Sequence, residues 1–249
     1  MQVSVFILCY NEEILLKYTI EHYRKCFSNV DFTIYDNCST DNSVSIAKEL
    51  GCRVVSFDTG EMLNEHTLTS IKNNSWKCAK SKWVIVVDLD EWLCVTDDDL
   101  KEEELTGTTI LSVCGYNIIC DSKLVNLSDI NLHTESKAVY HRPECKNVCF
   151  RADMIKEMNY THGCHDCKPV TRSGQIKFSD KKYLLKHMDT LGLPYKIKKN
   201  MIRYERAKIM AQEGLATHYT NDINKVKQHF HKNLNNAVDI LELYPGAFK

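Results

Sequence analysis

Residues 83–93 read Trp-Val-Ile-Val-Val-Asp-Leu-Asp-Glu-Trp-Leu, and this stretch decides the fold. Trp83–Val87 is a short, continuous, β-branched apolar run, the pattern of a strand covered on both faces. It ends on Asp88, Asp90 and Glu91, three carboxylates within four positions. Turn chemistry explains most isolated Asp residues. It does not explain three neighbouring carboxylates, which repel one another and are unfavourable in a dry site without a cation. Asp88 and Asp90 are two apart, so in extended chain they share a face. Hard oxygen ligands of this kind suit Mg²⁺ or Mn²⁺, with substrate phosphates completing the shell.

Working outward, the chain before this point alternates. Val3–Leu8, Phe32–Tyr35 and Arg53–Phe57 read as strands, and Glu12–Cys26, Ser43–Leu50 and Leu68–Ala79 as helices. Gly51 closes the second helix. The β-α-β-α-β-α-β order predicts an α/β fold with a mostly parallel sheet and right-handed crossovers. Such sheets bind ligands at the carboxyl ends of their strands. The unusual residues lie there: Cys9-Tyr10-Asn11-Glu12 after the first strand and Asp36-Asn37-Cys38-Ser39-Thr40-Asp41 after the second. The second half loses the rhythm. Thr109–Cys120 reads as a long strand, 121–150 as irregular, and Tyr183–Leu185 as a short strand leading to His187. Pro194 then precedes a basic helical stretch, Tyr195–Glu213, and Ile223–Leu243 is expected to be a last helix. With no linker and no repeat, one domain over 1–249 is expected, with a nucleotide-binding half at 1–95 and an acceptor and metal-completing half at 96–249.

The three blocks FILCYNEE, YDNCSTDNS and VVDLDEWL, each after a predicted strand, resemble a family 2-type glycosyltransferase of the GT-A fold. The third block resembles the D-x-D metal motif of that family, here Asp88 and Asp90. The resemblance is strong over roughly residues 1–95. It implies a metal-dependent transferase, most simply of hexoses. The donor would be a nucleotide-diphospho-sugar, a UDP-sugar foremost, and the ion Mn²⁺ or Mg²⁺. Cys9, Tyr10, Asn11 and Glu12 would line the donor pocket, Asp36 and Asn37 would bond the base or ribose, and Asp88 would lie near the ribose or act through water. Gly163-Cys164-His165, Leu185-Lys186-His187 and Gly214-Leu215-Ala216-Thr217-His218-Tyr219 loosely match blocks of related small enzymes. By that resemblance one histidine, His187 or His165, would join Asp90 and Asp88 at the metal, and Lys199 and Arg203 would lie near the diphosphate. An inverting reaction needs a base, for which Asp166 and Glu91 are the candidates. The acceptor, a glycan, protein or lipid-linked sugar, is not readable.

Composition narrows the alternatives. In 249 residues the 32 basic and 33 acidic side chains nearly cancel, which argues against a general nucleic-acid binder. The cancellation conceals nine acidic residues in 88–104 and ten basic ones in 177–208. Twelve cysteines, many inside apolar runs, read as reduced core residues. No run of about 18 apolar residues suggests a membrane span. MQVSVFILCYNEE lacks a basic leader, so a cytoplasmic protein is expected. A competing reading makes Cys145, Cys149, Cys164 and Cys167, with His162 and His165 nearby, a structural zinc site in a nucleotide-sugar-binding or nucleotidyltransferase-like domain. Nucleotidyltransferases usually carry a Gly-rich phosphate loop after the first strand, and Cys9–Glu13 holds no glycine.

Overall fold

A computed structural model describes residues 1–121, 123–172 and 174–248. The front half is β1 (Gln2–Cys9), α1 (Glu13–Cys26), β2 (Asn29–Asp36), α2 (Ser43–Glu49), β3 (Arg53–Ser56), α3 (Glu65–Asn74) and β4 (Trp83–Asp88). Its strands lie in the order β3-β2-β1-β4, all parallel, as the alternation predicts. The continuous apolar runs have the predicted cause. In β4, Trp83, Ile85 and Val87 face a core shared with Leu15, Leu16 and Ile20 of α1. Val84 and Val86 face the opposite core, with Phe6, Trp76 and Phe150. Both faces are covered, so the alternation of a half-exposed strand is absent.

The back half extends the same sheet. It contains β5 (Glu91–Cys94), α4 (Asp97–Thr106), β6 (Ile110–Ile119), β7 (Lys137–Tyr140) and β8 (Cys149–Arg151). Then come β9 (Ile155–Glu157), β10 (Val170–Thr171), β11 (Phe178–Thr190), α5 (Leu193–Arg206), α6 (Lys208–Gln212), α7 (Ile223–Asn236) and β12 (Val238–Asp239). The apolar patch at 148–150 is β8, antiparallel to β4 and β6. β11 runs parallel to β6 and antiparallel to β5. The short strands β9 and β10 form a separate two-stranded ladder.

Several element bounds differ from expectation, each for a local reason. α3 starts at Glu65, three residues early, because the Asn64 side chain accepts the Thr67 amide. The expected strand at 183–185 is the middle of thirteen-residue β11, which follows its long partner β6. The basic helix breaks at Ala207 into α5 and α6. The last helix stops at Asn236, since Val238 and Asp239 pair with the open edge of β7. The segment that begins in the acidic cluster forms β5 and delivers Glu91 to β11. Among the described residues no helix is long and apolar enough to cross a membrane.

Candidate active site

The carboxyl ends of β1, β2 and β4 open into a cleft of about 1100 Å³, whose other wall is α5, the 214–220 segment and the start of α7. The loops after β1 and β2 are laced together. The amide of Glu12 donates to Ser43 Oγ, that of Glu13 to the Asp41 carboxylate, and that of Thr40 to Asn11 Oδ1. Asn11 holds this position with φ of 51°, a left-handed conformation that Asn tolerates better than most residues. Asp36 is 2% exposed; its Oδ2 accepts the Ser39 amide, while its Oδ1 is buried without a hydrogen-bond partner. Asn37 Nδ2 donates to Thr59 Oγ1. The Tyr10 ring lies 3.4 Å beneath the Arg206 guanidinium. Cys9 is buried, which pushes its thiol up, so it lines the cleft as an apolar wall.

The acidic turn after β4 is tied on every side. The Leu89 amide donates to Leu8 O, that of Met188 to Asp90 O, and that of Asp88 to Glu91 Oε2. Glu91 Oε1 meets Lys146 at 2.5 Å, and Asp88 accepts from Lys72 of α3 at 2.8 Å. The strand register then brings β11 alongside, opposing His187 to Glu91. Asp90, His187 and Asp189 offer ligand atoms that all lie within 4.8 Å of one another. His187 and Asp189 are two apart in a strand and so share a face.

Basic side chains from α5 compensate this cluster. Lys199 lies 2.8 Å from Asp90 and 3.0 Å from Glu12. Arg203 bridges Asp90 at 2.9 Å and Asp189 at 3.1 Å, and Lys196 also pairs with Asp189. Burial would raise Asp90, but Lys199, His187 and Arg203 outweigh it and hold its carboxyl well below the usual range. Burial alone would lower His187, yet the Glu144 and Asp90 carboxylates raise it to about 9. Burial dominates at Glu91 and pushes it up to about 7, against the pull of Lys146. An imidazole and two carboxylates are a donor set that suits a divalent ion of hard to borderline character.

The expected residues sort as follows. Cys9, Tyr10, Asn11, Glu12, Asn37, Asp88, Lys199 and Arg203 all line the cleft. Asp36 sits behind it, at the end of β2. Asp88 and His165, expected among the metal ligands, are outside the Asp90 cluster. Asp88 is taken up by Lys72, and His165 donates its Nδ1 proton to the Pro143 carbonyl at 2.8 Å. Glu91 locks the turn, and Asp166 is exposed and does not line the cleft. Asp189, Lys72, Lys146 and Glu144 were not anticipated. The His-x-Asp spacing in a strand was the one signal for Asp189; the two lysines and Glu144 come from segments with no motif.

The zinc reading does not survive. No three of Cys145, Cys149, Cys164 and Cys167 come within 4.8 Å of one another, and the only such ligand group among the described residues is Asp90, His187 and Asp189. Cys149 belongs to the core on one face of the sheet, and Cys164 to the core on the other. All twelve cysteines are unpaired.

A mostly parallel α/β sheet places ligands at the carboxyl ends of its strands, and the charged cleft lies there. Residues 4–102 match the glycosyl transferase family 2 model, a stretch that runs from β1 to the first part of α4. No curated protein sequence matches significantly. Solved structures are similar at low identity. S. aureus TarS 1-349 gives a TM-score of 0.44 at 15% identity, over 82% of this chain and 65% of that one. The same TarS fragment in complex with UDP-GlcNAc gives 0.43 at 15%, over 94% and 72%. The mannosyltransferase PcManGT from Pyrobaculum calidifontis, in complex with GDP-Man and Mn²⁺, gives 0.34 at 17%, over 45% and 34%. The chain thus spans just under two thirds of the first TarS structure.

Proposed function

We propose that this chain is a divalent-cation-dependent glycosyltransferase. It would move a hexosyl group, with inversion, from a nucleotide-diphospho-sugar, a UDP-sugar foremost, to a hydroxyl of a glycan, protein or lipid-linked acceptor. The observation that carries the reading is the convergence of Asp90, His187 and Asp189 beside Lys199 and Arg203 in one cleft at the strand ends. Mn²⁺ or Mg²⁺ held by the first three would neutralise charge developing on the departing diphosphate. Lys199 and Arg203 now neutralise Asp90 and its neighbours; an incoming diphosphate gives them a new anionic partner and leaves Asp90 to the ion. Tyr10 and Asn37 border the region for the base, and the unpartnered Asp36 Oδ1 is an acceptor for a base or ribose donor. The acceptor proton falls to His165 rather than to Glu91 or Asp166. His165 lines the cleft, and its Nδ1 proton is committed to Pro143, which leaves Nε2 as the proton acceptor. Unpaired cysteines throughout suit a reducing, cytoplasmic setting.

A thermal-shift screen of nucleotide sugars with and without Mn²⁺ tests this. A true donor at about 100 times its Kd stabilises the fold by about 2.7 kcal/mol. Asp90→Ala and Asp189→Ala should each abolish the Mn²⁺-dependent part of the shift. Absence of a shift with every nucleotide, with or without metal, would end the proposal.

A further inference from the structure

Asn117 is a lone amide in the buried middle of β6, in the sequence Val113-Cys114-Gly115-Tyr116-Asn117-Ile118-Ile119, and is 8% exposed. A strand packed on both faces gives such a residue no reason to be polar unless it bonds something specific. Its register partner across the parallel β6–β11 pairing is His187. The His187 ring donates its Nδ1 proton to Asn117 Oδ1 at 2.7 Å. With Nδ1 so engaged, Nε2 is the nitrogen turned to Asp90, 3.3 Å away.

An imidazole ligand needs one ring nitrogen free of its proton and the other anchored as a donor. The anchor is an outer-shell carbonyl or carboxylate that sets the tautomer and the ring plane. We propose that Asn117 is the positioning residue of the cation site: it holds the Nδ1–H of His187 so that the Nε2 lone pair joins Asp90 and Asp189. This rests on the cation reading above. The geometry also shows what Asn117 guards against. Glu144 Oε1 lies 3.8 Å from the same Nδ1 and is the alternative acceptor. Without Asn117 the ring has an anionic partner toward which to turn, and that turn draws Nε2 away from the carboxylates. The register makes the arrangement rigid, because the two side chains stand side by side on adjacent paired strands, with the Met188 amide bonded to Asp90 O just beyond.

The test uses the whole chain and Mn²⁺ alone, with free Mn²⁺ measured by electron paramagnetic resonance. Asn117→Leu should weaken Mn²⁺ binding by about 10- to 100-fold, the range for loss of an outer-shell partner. Asn117→Asp keeps an acceptor at the same place and should bind at least as tightly as wild type. Asn117→Ala serves if the leucine variant does not fold. With Mg²⁺ bound, nitrogen-15 spectra should show His187 with Nδ1 protonated and Nε2 on the ion in wild type and Asn117→Asp, and Nε2 released from the ion in Asn117→Leu. Wild-type affinity in a folded Asn117→Leu or Asn117→Ala, with binding lost in His187→Ala, overturns the role of Asn117 and leaves the site standing. An Asn117→Asp variant as weak as Asn117→Leu overturns it equally. Wild-type affinity in His187→Ala removes the cation site itself, and this proposal with it.

Discussion

Lys146 offers the sharpest test of how the acidic turn is held together. It is 5% exposed and lies between Glu91 at 2.5 Å and Glu144 at 2.9 Å. Burial alone would strip its proton, but those two carboxylates hold its pKa well above the ordinary value. Lys146→Met keeps most of the apolar stem and removes the charge. Two buried carboxylates then face each other, with Asp88 close enough to add to the repulsion. Removing one member of a buried ion pair costs about 3–5 kcal/mol, because the remaining charge is left uncompensated. In a chain of this size each kcal/mol moves the unfolding midpoint by roughly 2–4 °C, so calorimetry at pH 8 should show a fall of roughly 6–20 °C. The physical claim is that the cost lies in the stranded charge and not in lost packing. Adding Glu91→Gln to Lys146→Met should therefore recover part of the loss, even though Glu91→Gln alone destabilises. A single variant within 2 °C of wild type (below the smallest shift expected for about 1 kcal/mol) would refute the reasoning. So would a double variant no more stable than the single one.

Three further outcomes follow from other sites. His22 is buried against Trp92, its Nε2 3.0 Å from Leu93 O, and burial depresses it to about 3. The unfolded chain takes up this proton near pH 6.5 and the folded one does not, so His22 leaves stability untouched above that pH. It should remove about 1.4 kcal/mol per unit as pH falls from 6.5 toward 3; urea midpoints of His22→Phe should lose this slope, and an unchanged slope counts against it. Thr96 and Asp99 form a capping box at α4, so Thr96→Ala should lower stability by about 1 kcal/mol in the same assay. At Gly115 an added Cβ would fall 2.3 Å from the Glu144 carbonyl carbon, backbone that cannot swing aside. Gly115→Ala should cost about 1–3 kcal/mol, and a variant as stable as wild type would show that residues 142–145 move freely.

The parts of this protein that were legible in its sequence are those encoded within one element. The run Trp83–Val87 announces a strand covered on both sides, because both of its faces must be apolar, and the strand-end loops are visible as breaks in that pattern. Asp90 and His187 were legible for the same reason, as chemistry placed just beyond or at the end of an apolar strand. What could not be read was pairing. Lys72 meets Asp88 because α3 packs across the strand end, and Lys146 meets Glu91 because β8 returns beside β4. Asn117 meets His187 because β6 and β11 are register partners across seventy residues of chain. A one-residue slip in that register would turn every β11 side chain to the other face, separating His187 from Asn117 and from Asp90 together. Tyr183, Leu184 and Leu185 are all buried, so both faces are covered, and the ladders to β5 and β6 on the two sides of β11 fix its register. The cluster of Asp90, His187 and Asp189 is therefore held by the pairing of the strand that carries two of its members. It follows that changes to the buried residues Tyr183–Leu185 of β11, which touch no ligand atom, should loosen the site before they unfold the chain.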